Sequence, residues 1–427
     1  MSDWRDRKLH LIGIGGAGMS ALALVADRLG ATVSGSDRAS SSYTERLVAA
    51  GIPVAIGHDA ANVPEGAEIV VSTAIGDDNP ELAVARAEGR TILHRADLLR
   101  EFVALKPVCI AVAGAHGKTT TTAMIGHALT ELGADPAVFV GGEVRIGGEL
   151  TNARWGDGEI VVVEADESDG SFLKLDPTIA IVTNVELDHH DSWQGGLVEL
   201  MAAFAKFAAP ARETIVWRGQ PELASLVEPR RTTTFGLGDE DLNLAVSGEH
   251  NVLNALAALA ALRAAGYSGD AAIPALESFQ GVARRFEYVG DSPQGVHIYD
   301  DYAHHPTELV AALKTAREIA AGGRVVAVFQ PHLYSRTAAL AAEFGAALTA
   351  ADEVVLVDIY PARERAEDFP GVDTGLIAAA IGEQVPALRS TKGEAADLLR
   401  GRLRPGDLCI TVGAGDVFVI GRELIDG

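Results

Sequence analysis

The stretch from Val108 to Thr122 constrains the fold more than any other part of the chain. Residues 108–113 are almost all apolar, which is typical of a buried parallel strand, and the glycines after them predict a tight turn. The threonines and periodic apolar residues that follow predict a helix. Backbone N–H groups and the positive end of a helix dipole would therefore lie beside Lys118, which is the arrangement of a phosphate-binding turn.

The turn reads Gly-x-x-Gly-Lys-Thr, two residues shorter between its glycines than the common Gly-x-x-x-x-Gly-Lys-Ser/Thr pattern. A glycine-rich turn with a surface lysine is the simpler alternative. We favour phosphate binding. The residues of this predicted site are Gly114, Ala115, His116, Gly117, Lys118, Thr119 and Thr120.

A second glycine-rich turn lies near the N terminus. An apolar strand at residues 9–14 overlaps the sequence Gly13-Ile14-Gly15-Gly16-Ala17-Gly18, and Asp37 ends the next strand about 20 residues further on. This is the dinucleotide fingerprint, and alone it would indicate NAD, but any diphosphate can use the same glycines and helix start. Asp37 is interpreted equally as a ligand contact or as a plain acid at a strand end.

Alternating strand and helix patterns continue along the chain, and Asn79-Pro80-Glu81 reads as the capped start of one helix. With 427 residues, two to three domains are expected. We predict an α/β protein of three domains. They are a Rossmann-like N-terminal domain at residues 1–104, a P-loop-type central ATPase domain at 105–283 and a Rossmann-like C-terminal domain at 284–427.

An acidic cluster follows the apolar strand at residues 160–163, downstream of the phosphate turn. Carboxylates near bound phosphates suit Mg²⁺, and Glu164 is the first choice as ligand; a solvated acidic loop is the alternative. A second strand, at 178–182, runs towards His189 and His190. The lack of a nearby cysteine and of His-x-x-x-His spacing argues against zinc, so we interpret one histidine, His189, as a further Mg²⁺ ligand.

Residues 212–247 are predicted to be loop-like, and a long helix follows. Asn251 and Asn254 lie three residues apart near its start, so their amides would share one helix face and contact a base edge, or one of them would cap the helix. In the C-terminal part, polar residues follow the carboxyl ends of four predicted strands, where open α/β sheets place ligand sites.

The formal charge of −24 makes nucleic acid or an anionic membrane surface an unfavourable partner. The two cysteines lie in apolar runs and fit a reducing compartment. No apolar run approaches the roughly 18 residues that span a bilayer. We expect a cytoplasmic protein, monomeric or a weak homodimer.

Eight stretches in order carry a resemblance to the Mur ligases of peptidoglycan synthesis. They are GIGGAGMSALA, AGAHGKTTTT, EADESDGSFL, NVELDHHDSW, GEHNVLNALAA, GVARRFE, DDYAHHPTEL and FQPHLYSRT. The resemblance implies an ATP- and Mg²⁺-dependent ligase that joins L-alanine to the carboxylate of UDP-N-acetylmuramate through an acyl phosphate.

The resemblance also implies residue roles. UDP-sugar would contact Gly15, Gly16, Ala17, Gly18, Asp37, Ser72 and Thr73. ATP would contact the phosphate turn with Asn251, Asn254, Arg285 and Asp301, and Mg²⁺ would contact Thr119, Glu164 and His189. Alanine would contact Tyr302, His304, His332 and Arg336. The catalytic residues would be Lys118, Glu164, His189, Arg285 and His304, with His304 as a hypothetical base.

Two features depart from the family pattern, and a third position shows that no carboxylated lysine is expected. The region between about Gly219 and Gly248 is short, as if an antiparallel excursion of the central sheet were missing. Leu333 stands where many relatives carry Arg. Phe204 occupies the place of a carboxylated lysine in some sister ligases, and Lys206 is interpreted as a helix-surface lysine.

Three alternatives remain open. A sister ligase would join UDP-N-acetylmuramate to a recycled tripeptide. A nicotinamide-dependent oxidoreductase would rest only on the N-terminal fingerprint and Asp37. A nucleotide-binding regulator would bind ATP without turnover.

Overall fold

The computed structural model describes residues 3–187 and 193–427 of the chain. Packing divides the chain into two units, one formed by Met1–Ala245 with Val252–Gln280 and the other by Val246–Asn251 with Gly281–Gly427. Within the described ranges, no helix is both long and apolar enough to cross a bilayer.

The first sheet has the strand order β3-β2-β1-β4-β5 and is parallel throughout. Its strands are β1 (Lys8–Ile12), β2 (Thr32–Asp37), β3 (Val54–Ile56), β4 (Glu68–Val71) and β5 (Ile92–His94). The helices are α1 (Ala17–Arg28), α2 (Ser42–Ala49), α3 (Pro80–Ala87) and α4 (Arg95–Val103). Leu11 and Ile12 on β1 pack into different apolar clusters, so both faces of the strand are covered.

The second sheet has the order β12-β11-β10-β6-β9-β7-β8, and β7–β8 is its antiparallel pair. Its strands are β6 (Val108–Ala113), β7 (Ala137–Ile146), β8 (Glu149–Arg154), β9 (Ile160–Glu164), β10 (Ile179–Val182), β11 (Glu213–Trp217) and β12 (Thr232–Phe235). The helices are α5 (Lys118–Glu131), α6 (Gly196–Ala208), α7 (Glu249–Ala264) and α8 (Gly269–Glu277). Strand β6 spans the apolar run that the sequence predicts.

The third sheet belongs to the second unit and has the order β13-β14-β18-β15-β16-β17, with β13 antiparallel to β14. Its strands are β13 (Glu287–Asp291), β14 (His297–Asp301), β15 (Val325–Phe329), β16 (Glu353–Val357), β17 (Ala387–Ser390) and β18 (Leu408–Val412). The helices are α9 (Pro306–Ala320), α10 (Tyr334–Leu348), α11 (Gly375–Ile381), α12 (Lys392–Arg400) and α13 (Phe418–Asp426).

The prediction of a loop over residues 212–247 is wrong in two places. Strand β11 continues the sheet beside β10, and β12 pairs in parallel with β11 at its edge. The threonine-rich composition of β12 hides the strand, because hydroxyl side chains suit a partly exposed edge as well as they suit a loop. Residues 236–248, all of them described, contain no strand, which agrees with the short region noted in the sequence.

Candidate functional site

The phosphate turn follows the carboxyl end of β6, where the strand order of the sheet reverses. Strand β6 lies between β9 and β10, each parallel to it. Open α/β sheets place ligands at such a reversal of strand order, outside the carboxyl ends of the strands. The sheet topology therefore supports the location that the sequence indicates.

Two glycines in this turn have no room for a side chain. Gly114 has a φ of 133°, and a Cβ there would lie 2.1 Å from the hydroxyl oxygen of Thr183. Gly117 has a φ of 82°, and a Cβ there would lie 2.4 Å from the amide oxygen of Asn254. Left-handed backbone and close approach thus both require glycine.

Lys118 is the first residue of α5 and folds over the turn. Its Nζ donates to the carbonyl oxygens of Gly114 at 2.5 Å and Ala115 at 3.1 Å, and it lies 3.0 Å from Glu167 Oε2. Burial opposes its charge, but Glu167, followed by Asp166 and Glu164, outweighs burial and raises the pKa of Lys118. The lysine is therefore a charged group held at the mouth of the turn.

Glu164 ends β9 beside the turn, and its carboxylate is engaged at both oxygens. Thr119 Oγ1 donates to Oε1 at 2.9 Å, and the N–H of Gly141 donates to Oε2 at 2.6 Å. Burial raises the pKa of Glu164, although Lys118 opposes the shift. A hydroxyl and a carboxylate this close form an oxygen donor pair of the kind that Mg²⁺ prefers. His189, the third predicted ligand, lies outside the described residues.

Residues 183–186, which follow β10, hold the phosphate turn in place through His116. This contact was not predicted from the sequence. Asn184 Oδ1 accepts from the N–H of His116 at 2.9 Å, and Asn184 Nδ2 donates to the His116 carbonyl at 3.0 Å. His116 Nε2 also lies 2.8 Å from a carboxylate oxygen of Glu186. The available signal was the polar sequence Thr183-Asn184 directly after a buried strand.

The N-terminal turn is held from the end of β2. The carbonyl oxygen of Ser36 accepts from the N–H groups of Gly13 and Ile14 at 2.8 and 2.9 Å. Asp37 Oδ2 accepts from the N–H of Gly15 at 2.8 Å. The acid that a nicotinamide fingerprint assigns to a ribose is thus bonded to the turn itself.

The starts of the helices differ in how they are capped. Ser41, Asn79 and His94 cap α2, α3 and α4 with their side chains, and Asn79 does so as the sequence predicts. Gly16 precedes α1 and Gly117 precedes α5, and glycine has no side chain to cap with. The two helices that follow the glycine-rich turns therefore present backbone N–H groups at their first turns.

The other predicted UDP-sugar residues also lie at this edge of the first sheet. Ser72 and Thr73 follow β4, the neighbour of β1. Ser72 accepts the N–H of Ala74 at its hydroxyl and that of Ile75 at its carbonyl. The chain turns tightly there, at the carboxyl end of a strand beside the glycine-rich turn.

In the second unit, two adjacent arginines flank one tyrosine ring. The guanidinium carbons of Arg284 and Arg285 lie 5.1 and 5.0 Å from the ring centroid of Tyr302. Arg285 also lies 3.9 Å from Glu308, while Arg284 and Phe286 both have positive φ. Non-glycine residues in this region are uncommon, so the surrounding structure holds this segment in a strained path.

Asp301 ends β14 and is buried. Its carboxylate accepts from the N–H groups of Phe286 and Ala303, both at 2.7 Å. Burial raises the pKa of Asp301 to about 7, although Arg285 opposes the shift. Its charge near neutral pH therefore depends on the donors and cations around it.

Aromatic and imidazole rings form a cluster after β14 and β15. The centroid of His304 lies 5.5 Å from that of Tyr302 and 5.9 Å from that of His332. His332 stacks on Tyr360 at 5.7 Å. His304 Nδ1 lies 3.1 Å from the carbonyl oxygen of Tyr302, and Glu308 accepts the backbone N–H of His304. The structure thus brings three predicted alanine-site residues together.

Arg336, the fourth predicted alanine-site residue, lies in the first turn of α10 and is half-buried. Leu333 precedes that helix with a φ of 72°, and its side chain is buried. Its N–H donates to Tyr360 and its carbonyl accepts from Thr337. Leu333 is apolar and its side chain is buried, so it does not provide the carboxylate anchor that Arg would provide at this position.

Asn251 and Asn254 are both buried in the first turns of α7. Asn251 Nδ2 donates to the carbonyl oxygen of Ser247 at 2.7 Å, a local contact near the helix start. Asn254 Oδ1 accepts from Thr121 of α5 at 3.3 Å. Asn254 thus belongs to the surroundings of the phosphate turn, whereas Asn251 supports its own helix.

Three domain families match the chain in order. They are the Mur ligase family catalytic domain at residues 8–107, the Mur ligase middle domain at 112–243 and the glutamate ligase domain of Mur ligases at 284–415. The UDP-N-acetylmuramate–L-alanine ligase of Rubrobacter xylanophilus is 43% identical, over 98% of this chain and 99% of that protein. The chain belongs to the Mur ligase family. This membership confirms the predicted α/β fold of three domains.

Solved Mur ligase structures agree with this membership. The UDP-N-acetylmuramate-alanine ligase of Thermotoga maritima has a TM-score of 0.86 and 31% identity, over 98% of both chains. A murein peptide ligase of Psychrobacter arcticus shares the fold, with a TM-score of 0.71 and 23% identity over 98% of both chains. In this chain, Phe204 is fully buried. Lys206 is exposed on α6, as predicted for a helix-surface lysine.

Proposed function

We propose that this Mur ligase joins L-alanine to the carboxylate of UDP-N-acetylmuramate and converts ATP to ADP and phosphate. The observation that carries the substrate assignment is the similarity, over nearly the full length, to ligases named for this reaction. The phosphate turn of β6 and α5 supports the use of ATP independently. We propose the domain boundaries 1–104, 105–283 and 284–427 for UDP-sugar binding, ATP binding and amino-acid binding.

The first chemical step transfers a phosphoryl group. A muramoyl carboxylate oxygen attacks the γ-phosphorus of ATP, a P–O bond forms, and the bond to the ADP oxygen breaks. Catalysis of such a step consists mainly of alignment and charge neutralisation. Lys118 supplies a fixed positive charge at the turn, and Arg285 is proposed to contact the γ-phosphate.

Thr119 and Glu164, together with His189, are the residues that would hold Mg²⁺. When bound, the ion neutralises charge on the phosphate oxygens of ATP. Glu164 must be ionised for this, and burial raises its pKa, so a nearby cation favours its charged form. The same carboxylate orients Thr119 through their 2.9 Å hydrogen bond.

The second step forms the amide. The amine nitrogen of alanine attacks the acyl carbon, a C–N bond forms, and the C–O bond to phosphate breaks, so that phosphate leaves. His304 is the proposed base for the ammonium proton. Because a carbonyl oxygen only accepts hydrogen bonds, the contact of Nδ1 with the Tyr302 carbonyl places a proton on Nδ1, so that in the neutral ring Nε2 carries the lone pair. Wild-type activity and an unchanged pH profile in His304→Ala would exclude this role.

We place the reaction in the cytoplasm, as a step of peptidoglycan synthesis. Cys109 and Cys409 are buried free thiols, which fits a reducing compartment. Burial raises the pKa of each thiol to about 12, so neither is a reactive thiolate. A monomer or a weak homodimer stays a prediction.

A coupled ADP-release assay tests the proposal. We expect release to need both UDP-N-acetylmuramate and alanine, with each omitted in turn as a control. The recycled tripeptide forms a parallel arm, and faster turnover with the tripeptide would identify the sister activity instead. Titration with NADH, followed by fluorescence, tests the oxidoreductase alternative, for which we expect no binding.

A further inference from the structure

A buried carboxylate lies beneath the N-terminal turn, outside the predicted site residues. Glu81 is in the first turn of α3, and its side chain is fully buried. Ser36 Oγ donates to Oε2 at 2.6 Å, Asn62 Nδ2 donates to Oε1 at 2.7 Å, and the N–H of Asp59 donates to Oε1 at 3.2 Å. His10 Nε2 lies 3.4 Å from Oε2. Such a group is tolerable in the interior only because its oxygens are hydrogen-bonded.

The hydrogen bonds favour the charged form of this carboxylate. Burial would raise its pKa, but the bonds from His10, Ser36 and Asn62 outweigh burial and lower the pKa of Glu81 to about 2. Glu81 therefore accepts at both oxygens throughout the neutral range. A neutral amide in its place would turn one acceptor into a donor and oppose the donors that surround it.

Ser36 connects this carboxylate to the glycine-rich turn. Its hydroxyl donates to Glu81 and lies 2.9 Å from His58 Nδ1, while its carbonyl oxygen holds the N–H groups of residues 13 and 14. The next residue, Asp37, holds the N–H of residue 15. The backbone of the turn is thus fixed by two consecutive residues of β2, and the side chain of one of them is fixed by Glu81.

We infer that Glu81 is a positioning residue for the UDP-sugar site, acting through Ser36 on the turn at residues 13–18. The inference rests on the proposed function. Loss of the carboxylate leaves the Ser36 hydroxyl, His10 and Asn62 without their shared acceptor. The end of β2 is then held less firmly, and with it the Ser36 carbonyl that binds the turn proposed to contact the diphosphate. The binding of UDP-N-acetylmuramate should then weaken, while the ATP and alanine sites, built on other strands, keep their geometry.

The chain offers a matched control in Glu353, which is also a buried carboxylate. Glu353 is paired with Arg324 and Arg402. It is the first residue of β16, at the amino end of the third sheet, whereas ligands bind at the carboxyl ends of strands. Glu353→Gln should therefore lower stability without touching a substrate site.

The experiment compares full-length Glu81→Gln and Glu353→Gln with the wild type. Measurements are kcat, KM for each substrate, calorimetric affinity for UDP-N-acetylmuramate alone, and the thermal midpoint. We expect Glu81→Gln to raise KM and Kd for UDP-N-acetylmuramate about tenfold, with KM for ATP and alanine within about twofold. Glu353→Gln should lower the thermal midpoint and leave all three KM values unchanged.

Two results would overturn the inference. One is a lowered thermal midpoint in Glu81→Gln with unchanged affinity for UDP-N-acetylmuramate, and the other is an equal rise in all three KM values. If Glu81→Gln does not fold, Ser36→Ala decides, because it removes only the hydroxyl that joins Glu81 to the residue whose carbonyl oxygen holds the turn. We expect it to weaken UDP-N-acetylmuramate binding about threefold, and unchanged affinity would refute the role. Failure of the proposed function would appear separately, as a wild-type protein without alanine-dependent ADP release.

Discussion

The turn after β1 and the turn after β6 both carry the chain from a buried parallel strand into a helix that starts after a glycine. They differ in charge. Residues 13–18 contain no ionisable side chain, and the turn is held by Ser36 and Asp37 from the neighbouring strand. The turn after β6 instead carries Lys118, with Glu164 and Glu167 raising its pKa.

This difference in charge matches the roles proposed for the two phosphate groups, of which one is only bound and the other is transferred. A diphosphate that is only bound can be held by N–H groups and a helix dipole. A phosphoryl group that is transferred gathers charge in the transition state, and fixed cations stabilise that charge more than they stabilise the ground state. The neutral turn therefore suits UDP and the charged turn suits ATP.

Removing the cation from the second turn should have the largest effect. We expect Lys118→Ala to lower kcat by about a thousandfold or more, with the thermal midpoint within a few degrees of the wild type. Lys206→Ala, on the exposed face of α6, is the control and should keep full activity. Near-normal alanine-dependent ADP release from Lys118→Ala would contradict the assignment of the two turns.

Lowering the pH should weaken the hydrogen bonds by which Glu81 supports the turn after β1. The folded-state pKa of Glu81 is lowered from 4.5 to about 2, so its contribution is present above pH 4.5 and is lost as the pH falls towards 2. The contribution is on the order of 3 kcal/mol. His10 and His58 are the titratable side chains that face it. Urea unfolding between pH 5 and pH 2 should show a shallower loss of unfolding free energy in Glu81→Gln than in the wild type, and equal slopes would contradict this account.

Replacing one glycine in each turn with alanine tests whether the turns serve different substrates. An alanine at Gly117 would place its Cβ against Asn254, and one at Gly15 would place it 2.7 Å from Thr44 and 2.9 Å from Asp37. We expect Gly117→Ala to raise KM for ATP about tenfold, and Gly15→Ala to do the same for UDP-N-acetylmuramate. Steady-state kinetics of both variants with both substrates checks this. If KM for the same substrate rose in both variants, the two turns would not serve different substrates.

The smallest effect is expected from Asp37→Asn. The amide oxygen can still accept from the N–H of Gly15, so KM for UDP-N-acetylmuramate should change less than about threefold, whereas Asp37→Ala should raise it further. Equal losses in the two variants would show that the charge of Asp37 matters, as it would in a direct ligand contact.

Sequence patterns predicted those parts of the site that depend only on neighbouring residues in the chain. The phosphate turn and the Asn79 cap each depend on a few consecutive residues, and each is present. Strand β12 was missed because an edge strand rich in threonine has no apolar signature that separates it from a loop. Strand β11 is a short inner strand whose apolar residues, Ile215 and Val216, form too brief a run to stand out in a turn-rich stretch.

Glu81 shows why the rest could not be predicted. An acid in the first turn of a helix usually complements the helix dipole, and nothing nearby in the sequence distinguishes this one. Its partners His10 and Ser36 are 71 and 45 residues away and meet it only when the first sheet and α3 pack together. Burial of a charge is a tertiary property, so a one-dimensional pattern does not contain it.

The glycines that precede α1 and α5 have a consequence for the kinetics of amide exchange. Each substrate phosphate, once bound, would supply the acceptor that a capping side chain supplies to α2, α3 and α4. The first-turn amides of α1 and α5 should then exchange with deuterium quickly in the free protein, and each set should slow with its own substrate. The two helices would thus report separately, within one exchange experiment, the order in which UDP-N-acetylmuramate and ATP load.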